Sequence, residues 1–158
     1  MSNAFIDTTE YSYSAENTEK YGMILAETML SYINLPRFIA LYGDLGAGKT
    51  AFVRGFVSVI APNAKVKSPT FALVREYIGK NLNVFHFDMY RITDEDDLYS
   101  TGFYDYFNRK GIIITEWSEN IPYALPDKYI KVTIDKTENE NERIITTKLL
   151  TREDKAKK

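Results

Sequence analysis

The segment from Gly43 to Thr50 constrains this chain more than any other, because it reads glycine, four residues, then Gly-Lys-Thr. This spacing is the pattern of a phosphate-binding loop. The apolar run Arg37–Tyr42 precedes it at strand length, and apolar residues of the stretch Phe52–Ile60 follow it at helical spacing. A strand, a glycine-rich loop and a helix in this order predict a nucleoside-triphosphate site, in preference to a turn with an incidental Lys-Thr.

The residue types of this loop suit the binding of an anion. Gly43, Gly46 and Gly48 allow tight backbone turns that bring N–H groups close to anionic oxygens. The N-terminus of the following helix adds partial positive charge at the same place. Lys49 is then expected to contact the β- and γ-phosphates, and the Thr50 hydroxyl is expected to ligate Mg²⁺.

The length and composition indicate one ordinary globular domain over residues 1–158. The 158 residues are 44% hydrophobic and 27% charged, and the formal net charge is −2. Because this balance provides no global basic field, direct RNA binding is not expected as the main activity. The charged tail from about residue 151 onwards is expected to fray.

Cysteine is absent from the sequence, which excludes disulfides, a disulfide-linked partner, thiolate zinc sites and cysteine nucleophiles. The absence is in keeping with a reducing compartment. No apolar run approaches the length of a membrane span, and no signal sequence is recognisable at the N-terminus. We therefore expect a cytoplasmic protein without a membrane partner.

The order of predicted elements indicates an α/β fold with antiparallel hairpins added beside the phosphate loop. Ser14 is expected to cap a helix from Ala15 to about Tyr32, and Gly102 is expected to end a short acidic helix. Two β-rich runs around the turn Gly79–Asn81 predict an antiparallel hairpin. The strands are predicted at residues 5–9, 37–42, 71–77, 82–88, 111–117, 129–134 and 143–149.

Two acidic residues at strand ends are candidates for the carboxylate that a phosphate loop needs near its metal. Asp88 follows the strand residues Val84–Phe87, and Glu116 follows Ile112–Thr115 in the same arrangement. Either side chain could emerge beside the phosphate loop if its strand neighbours the loop strand. Each could equally be an acid that caps a loop, and the pattern alone does not rank the two.

Three further features have both a functional and a structural interpretation. The hydroxyl-bearing segment Ser68–Thr70 is either a segment that senses metal or γ-phosphate, or a simple turn. Trp117, the only tryptophan, either packs in the core or lines the pocket. His86, the only histidine, is expected to be packed or bonded to a partner and not catalytic.

The base of the nucleotide is predicted from what the sequence lacks. No Asn-Lys-x-Asp guanine signature occurs, and the segment Asp88–Arg91 lacks the glycine of a GTPase second switch. Adenine is therefore expected. A lid with arginines and an acceptor site, which a small-molecule kinase needs, is not evident.

Four motifs follow one another along the chain, namely Gly43–Thr50, Ser68–Phe71, His86–Arg91 and Glu116–Trp117. Together they resemble the TsaE (formerly YjeE) family, the bacterial tRNA threonylcarbamoyladenosine biosynthesis ATPases. Their order, their spacing and the total length agree, so the resemblance covers nearly the whole chain. Four motifs in register are far more specific than a phosphate loop alone.

The resemblance implies an ATPase that works with two larger proteins, TsaB and TsaD. TsaD transfers a threonylcarbamoyl group to adenosine 37 of tRNAs that read ANN codons. The ATPase resets that complex between turnovers, so tRNA is a partner only indirectly. The implied cofactors are ATP or ADP and Mg²⁺. The implied fold is a P-loop NTPase fold, with central parallel strands flanked by antiparallel strands and with helices on the faces.

The resemblance also implies roles for individual residues. Lys49 contacts phosphate and Thr50 binds Mg²⁺. Glu116 becomes the stronger metal-linked carboxylate, whereas Asp88 is a catalytic or water-positioning acid. Trp117 lies close to the nucleotide.

The implied nucleotide contacts extend beyond these residues. Thr18 matches a family position near the base, and Ser68 and Thr70 belong to a switch-like loop. Ala51 replaces a threonine that is usual in the family, and it would face the α-phosphate mainly through its backbone N–H, so nucleotide binding should weaken only modestly. The full implied set is Thr18, Gly43, Asp44, Gly46, Ala47, Gly48, Lys49, Thr50, Ala51, Ser68, Thr70 and Trp117.

The sequence as a whole therefore predicts a Mg²⁺-dependent ATP hydrolase that turns over slowly alone and is controlled by partner proteins. Water as the acceptor, stabilised charge on the γ-phosphate and a positioned carboxylate would suffice for this activity. Two other classes of protein remain open at this point. One is a non-hydrolytic, nucleotide-gated binding module, and the other is a small-molecule kinase.

Overall fold

The computed structural model describes residues 6–67 and 73–151, and within these ranges one mixed sheet organises the chain. None of the helices in these ranges is long and apolar enough to cross a membrane. The strands are β1 (Thr8–Ser12), β2 (Phe38–Tyr42), β3 (Val74–Tyr77), β4 (Asn83–Asp88), β5 (Gly111–Glu116), β6 (Tyr129–Lys136) and β7 (Arg143–Leu150). The helices are α1 (Ala15–Ser31), α2 (Lys49–Ile60) and α3 (Glu95–Ser100), and 3-10 turns span Phe103–Asn108, Ser118–Asn120 and Pro122–Ala124.

The strands lie in the order β1-β7-β6-β2-β5-β4-β3. The four central strands, β6, β2, β5 and β4, run parallel to one another. Antiparallel strands flank them, with β7 and β1 on one side and β3 on the other. The expected parallel centre with antiparallel flanks is therefore confirmed. Because β2 and β5 are covered on both faces, their residues form almost continuous apolar runs.

One face of the sheet is covered by α1 and α2, whose backbones approach each other closely at two glycines. A Cβ atom on Gly55 would overlap the carbonyl oxygen of Glu19, and one on Gly22 would overlap that of Phe52. The fully buried side chains Leu25 and Phe56 belong to the core on this face. Glycine at both positions therefore allows α1 and α2 to pack in close contact over the core.

The other face is covered by α3 and the 3-10 turns, which pack aromatic rings on the sheet. Phe103 meets Phe87 edge to face with ring centroids 5.0 Å apart, and Tyr106 meets Phe87 at 4.9 Å. Such edge-to-face pairs add to the free energy gained by burial. This face therefore has no long helix in the described ranges, and aromatic packing holds the short segments in place.

The predictions of a helix cap, a hairpin and a helix end are confirmed, whereas the predicted bounds of the edge strand β1 are not. The Ser14 cap of α1 is confirmed, since its hydroxyl accepts a hydrogen bond of 2.9 Å from the Asn17 N–H. The β3–β4 hairpin is confirmed, and Gly102 follows α3 with a positive φ of 81°. The strand expected at residues 5–9 was placed too early, because β1 takes its limits from antiparallel pairing of Thr8–Ser12 with β7.

Candidate functional site

The loop between β2 and α2 has the backbone that its glycines predict. Gly48 has a φ of 105° and directly precedes the first helical residue, Lys49. Gly43 has a φ of 153°, and a Cβ there would lie 2.7 Å from the carbonyl oxygen of Ile134. A side chain at either position would therefore be strained. The loop leads directly into the N-terminus of α2, where backbone N–H groups are available to bind an anion.

A cavity of about 290 Å³ lies over this loop, at the carboxyl ends of the parallel strands. Asp88 and Glu116 end the adjacent strands β4 and β5, and they are paired in register. The structure therefore brings both candidate carboxylates to the same cavity as the phosphate loop, at the edge where α/β proteins bind ligands. The cavity is lined by Leu45, Gly46, Gly48, Lys49, Thr50, Asp88, Glu116 and Trp117.

Lys49 is buried at the centre of this cavity, with only 8% of the residue exposed. Its ammonium group donates a hydrogen bond of 2.7 Å to the Gly43 carbonyl oxygen. The same nitrogen lies 4.0 Å from Oε1 of Glu116 and 5.2 Å from the centre of the Trp117 ring. A buried charge must be compensated, and here the compensation comes from a carbonyl, a carboxylate and an aromatic face.

Glu116 and Asp88 occupy different environments. Glu116 is buried, and its Oε2 lies 2.5 Å from Nε2 of the fully buried His86. Asp88 is half-buried, and its Oδ1 accepts a hydrogen bond of 2.9 Å from the Tyr90 N–H. The strand order explains the difference, because β5 is the direct neighbour of the loop strand β2 and β4 lies one strand further out. The expectation that His86 is bonded to a partner is confirmed.

Trp117 lines the cavity, and its half-buried side chain also packs against the core cluster on the aromatic face of the sheet, so both interpretations hold in part. It has a φ of 57°, which is uncommon for a residue other than glycine and marks a sharp turn at the end of β5. Its ring lies 5.0 Å from that of Tyr90, whereas the Asn120 side chain donates to the Met89 carbonyl oxygen. The segments that follow β4 and β5 are therefore tied together beside the cavity.

Among the other residues expected at the nucleotide, those that the structure describes lie on or beside the loop. Thr18 is buried, its hydroxyl is 2.6 Å from that of Ser12, and its methyl carbon lies 3.8 Å from the Cβ position of Gly48. The backbone carbonyl oxygen of Asp44 closes a turn by accepting a hydrogen bond of 3.0 Å from the Ala47 N–H. Ala51 is buried in the first turn of α2. The segment with Ser68 and Thr70 lies outside the described residues.

Arg143, at the start of β7, is a residue that sequence reasoning missed. Its Nε donates to the Ala47 carbonyl oxygen at 2.9 Å, and a terminal nitrogen donates to that of Gly46 at 3.3 Å. These two hydrogen bonds hold the Gly46–Ala47 part of the phosphate loop against the sheet. Because 96 residues separate Arg143 from Ala47, no local pattern could have identified this contact.

The oxygen donors around the cavity suit Mg²⁺. The Thr50 hydroxyl and the carboxylates of Glu116 and Asp88 all line it. Within residues 6–67 and 73–151, no group of three or more His, Cys, Asp and Glu side chains could hold a metal by protein ligands alone. Mg²⁺ at phosphate sites usually needs only one or two carboxylates, with phosphate oxygens and waters completing its shell. The donor set therefore fits a nucleotide-borne Mg²⁺.

Comparison with known proteins identifies the family of this chain. The family model described as threonylcarbamoyl adenosine biosynthesis protein TsaE matches residues 12–145. The chain belongs to the TsaE family. A Haemophilus influenzae relative, named tRNA threonylcarbamoyladenosine biosynthesis protein TsaE, is 40% identical over 80% of this chain and 81% of its own length. A Rickettsia typhi relative of the same name is 35% identical over 84% and 91%.

A solved structure agrees with the family assignment. The crystal structure of Bacillus subtilis YdiB superposes with a TM-score of 0.69 at 26% sequence identity, covering 91% of this chain and 85% of that one. The fold is therefore the P-loop fold of TsaE proteins. The expectations of family and fold from the sequence motifs are both confirmed.

Proposed function

We propose that this chain is a Mg²⁺-dependent ATP hydrolase that is required for N6-threonylcarbamoyladenosine modification of tRNA. In this proposal it acts in the cytoplasm with TsaB and TsaD, releases ADP and phosphate, and resets the transferase complex between turnovers. The observation that carries it is the convergence of Lys49, Thr50, Asp88, Glu116 and Trp117 on one cavity. The names of the relatives support the pathway.

Phosphate binding is the first task of the site. The N–H groups of the loop and the N-terminus of α2 would cradle the β-phosphate, and Lys49 would hold its ammonium group against the β- and γ-phosphate oxygens. Lys49 is suited to this because it is buried and already anchored to Gly43 and close to Glu116. Because Lys49 is buried, its charge acts more strongly than it would at the surface.

The two carboxylates would divide the remaining work. Thr50 and Glu116 would hold Mg²⁺, which when bound neutralises charge on the β- and γ-phosphates. His86 already holds the Glu116 side chain in one orientation, so binding of the nucleotide would not have to order it. Asp88 is more exposed and would position the attacking water or accept its proton.

The proposal treats the nucleotide as ATP, with Thr18 near its base. Thr18 lies beside Gly48, which supports a place near the nucleotide, although its hydroxyl is engaged with Ser12. Ala51 would offer its backbone N–H to the α-phosphate without the hydroxyl usual in the family. Trp117 would cover the phosphates from the side, with Lys49 against its ring.

The experiment compares tRNA modification over many turnovers in the TsaB–TsaD system, with ATP and with a non-hydrolysable ATP analogue supplied to this chain. Hydrolysis as the resetting step predicts that the analogue supports binding to the partners and allows at most one round of modification. Continued turnover with the analogue would contradict hydrolysis and favour a nucleotide-gated binding module.

A parallel assay follows the γ-phosphate itself. With γ-labelled ATP, the proposal predicts that the label appears in free phosphate. Label that accumulates in an organic acceptor would instead establish a small-molecule kinase. Lys49→Ala serves as the control that assigns either product to this cavity.

A further inference from the structure

A second cavity, of about 310 Å³, lies at the opposite end of the sheet from the phosphate loop. Phe38 and Gly111 are the first residues of β2 and β5, and both line it. The other walls are the 3-10 turn around Phe107 and the loop that leads into β6. We call this cavity the basal cleft. Its volume is within the range of ligand-binding pockets.

The charged residues that line the basal cleft are all cationic: Arg37, Arg109 and Lys128. Arg109 is fixed in place, since its guanidinium donates to Glu76 at 2.7 Å and lies 4.5 Å from the centre of the Phe85 ring. Arg37 and Lys128 are exposed and form no salt bridge with any described residue. The cleft therefore offers two cations that are available to an external anion.

The floor of the basal cleft is apolar and held in one arrangement. The Phe107 ring stacks on the buried Phe38 ring with centroids 5.7 Å apart and planes within 10°. Phe107 nonetheless keeps 40% of its surface exposed. Pro36 and Pro126 form part of the walls and restrict the backbone on both sides. A ligand would thus meet a preformed site, which reduces the ordering cost of binding.

We propose that the basal cleft docks an acidic segment of a partner protein, with a carboxylate facing Arg37 and Lys128 and an apolar side chain on Phe107. This inference rests on the proposed function in one respect, namely that the chain works in a complex with other proteins. Charge complementarity identifies the occupant, because every charged side chain that lines the cleft is positive. The docked segment leaves the nucleotide cavity open, since the two sites lie at opposite ends of the sheet.

A protein segment fits this cleft better than RNA does. Single-stranded nucleic acid is usually bound by a charged groove that tracks several phosphates, with repeated stacking positions. The basal cleft is one short slot, and the whole chain has a net charge of −2. An isolated slot suits one or two acidic side chains.

The experiment measures binding of the full chain to the TsaB–TsaD complex at two salt concentrations. The test variant is Arg37→Glu with Lys128→Glu, and Lys128→Glu alone serves as a milder form. The matched control is Lys65→Glu with Lys80→Glu, which makes the same change in net charge at two exposed lysines outside the cleft. Thermal unfolding and ATP binding are measured for every variant, and both are expected to stay as in the wild type.

The expected result is a loss of affinity of about tenfold or more for the cleft variant, smaller at high salt, with the control within about twofold of wild type. Wild-type affinity in the cleft variant, or an equal loss of affinity in the control, would overturn the proposed role of the basal cleft. Neither result would affect the proposed partners. Failure of the wild-type chain to bind TsaB–TsaD would overturn the proposed partners and this inference together. Binding of a single-stranded RNA that the cleft variant abolishes, without loss of protein binding, would also overturn it.

Discussion

The two ends of the parallel strands hold their charged residues in different ways. At the carboxyl end, Lys49 and Glu116 are each 8% exposed and lie 4.0 Å apart. At the amino end, Arg37 and Lys128 are exposed beside an aromatic floor. Electrostatic interactions strengthen as water is excluded, so the buried end is suited to chemistry on phosphates. The exposed end is suited to recognition, where screening by salt is strong.

The largest effect is expected at the buried end, from Lys49→Ala. Phosphate release by the assembled complex should fall about 100- to 1000-fold, because a charge aimed at the transferring phosphate is lost. Lys65→Ala, at an exposed lysine outside the cavity, should leave release unchanged. If phosphate release by Lys49→Ala fell by less than about threefold, the buried end of the sheet would not be the site of phosphate chemistry.

The two carboxylates at the buried end should respond differently when Mg²⁺ is titrated into the phosphate-release assay. Glu116→Gln should raise the Mg²⁺ concentration needed for half-maximal activity by about 10- to 100-fold, the range seen when metal-site side chains are altered. Asp88→Asn should lower kcat by about 100-fold and leave that requirement unchanged. The reverse pattern would exchange the roles proposed for the two residues.

Arg143→Leu tests how far the carboxyl end depends on its support. Loss of the bonds to Gly46 and Ala47 should lower ATP affinity by about tenfold, or about 1.4 kcal/mol, because Arg143 supports the loop and does not line the cavity itself. Lys148→Leu, at an exposed position on the same strand, is the control for ATP titrations. Equal affinities for the two variants would mean that the loop holds its shape unaided.

The smallest effect is expected near the amino end, from Glu76→Gln. The hydrogen bond from Arg109, with help from Tyr106, holds the pKa of Glu76 below its ordinary value of 4.5. A lowered folded-state pKa stabilises the protein above that value, and the contribution is lost as the pH falls through the lowered pKa. The free energy of unfolding of Glu76→Gln should therefore lie slightly below wild type at neutral pH. The difference should disappear in acid, and a pH-independent difference would contradict this account.

Local structure at the carboxyl end could be predicted because it depends on residues close together in sequence. The Ser14 cap and the glycine turn before α2 each follow from a few neighbouring side chains. The bounds of β1 could not be predicted, because β1 ends where its pairing with β7 ends. Propensity alone placed that strand three residues too early.

The arrangement of the site depended on information that local patterns do not contain. Asp88 and Glu116 looked equivalent as strand-end acids until the strand order placed β5 beside β2 and β4 outside it. The contacts of Arg143 with the loop and of His86 with Glu116 likewise join distant parts of the chain. The family resemblance ranked the two acids in the same order as the strand positions do, although it named neither Arg143 nor a role for His86.

We propose that the buried end of the sheet hydrolyses ATP under the control of partner proteins. The most direct measurement is phosphate release by the wild-type chain and by Glu116→Ala, each alone and with TsaB, TsaD and tRNA. Slow release is expected from the wild type alone, with a clear increase in the complex, and Glu116→Ala is expected to show no such increase. Equal release by the two proteins in the complex would contradict this proposal.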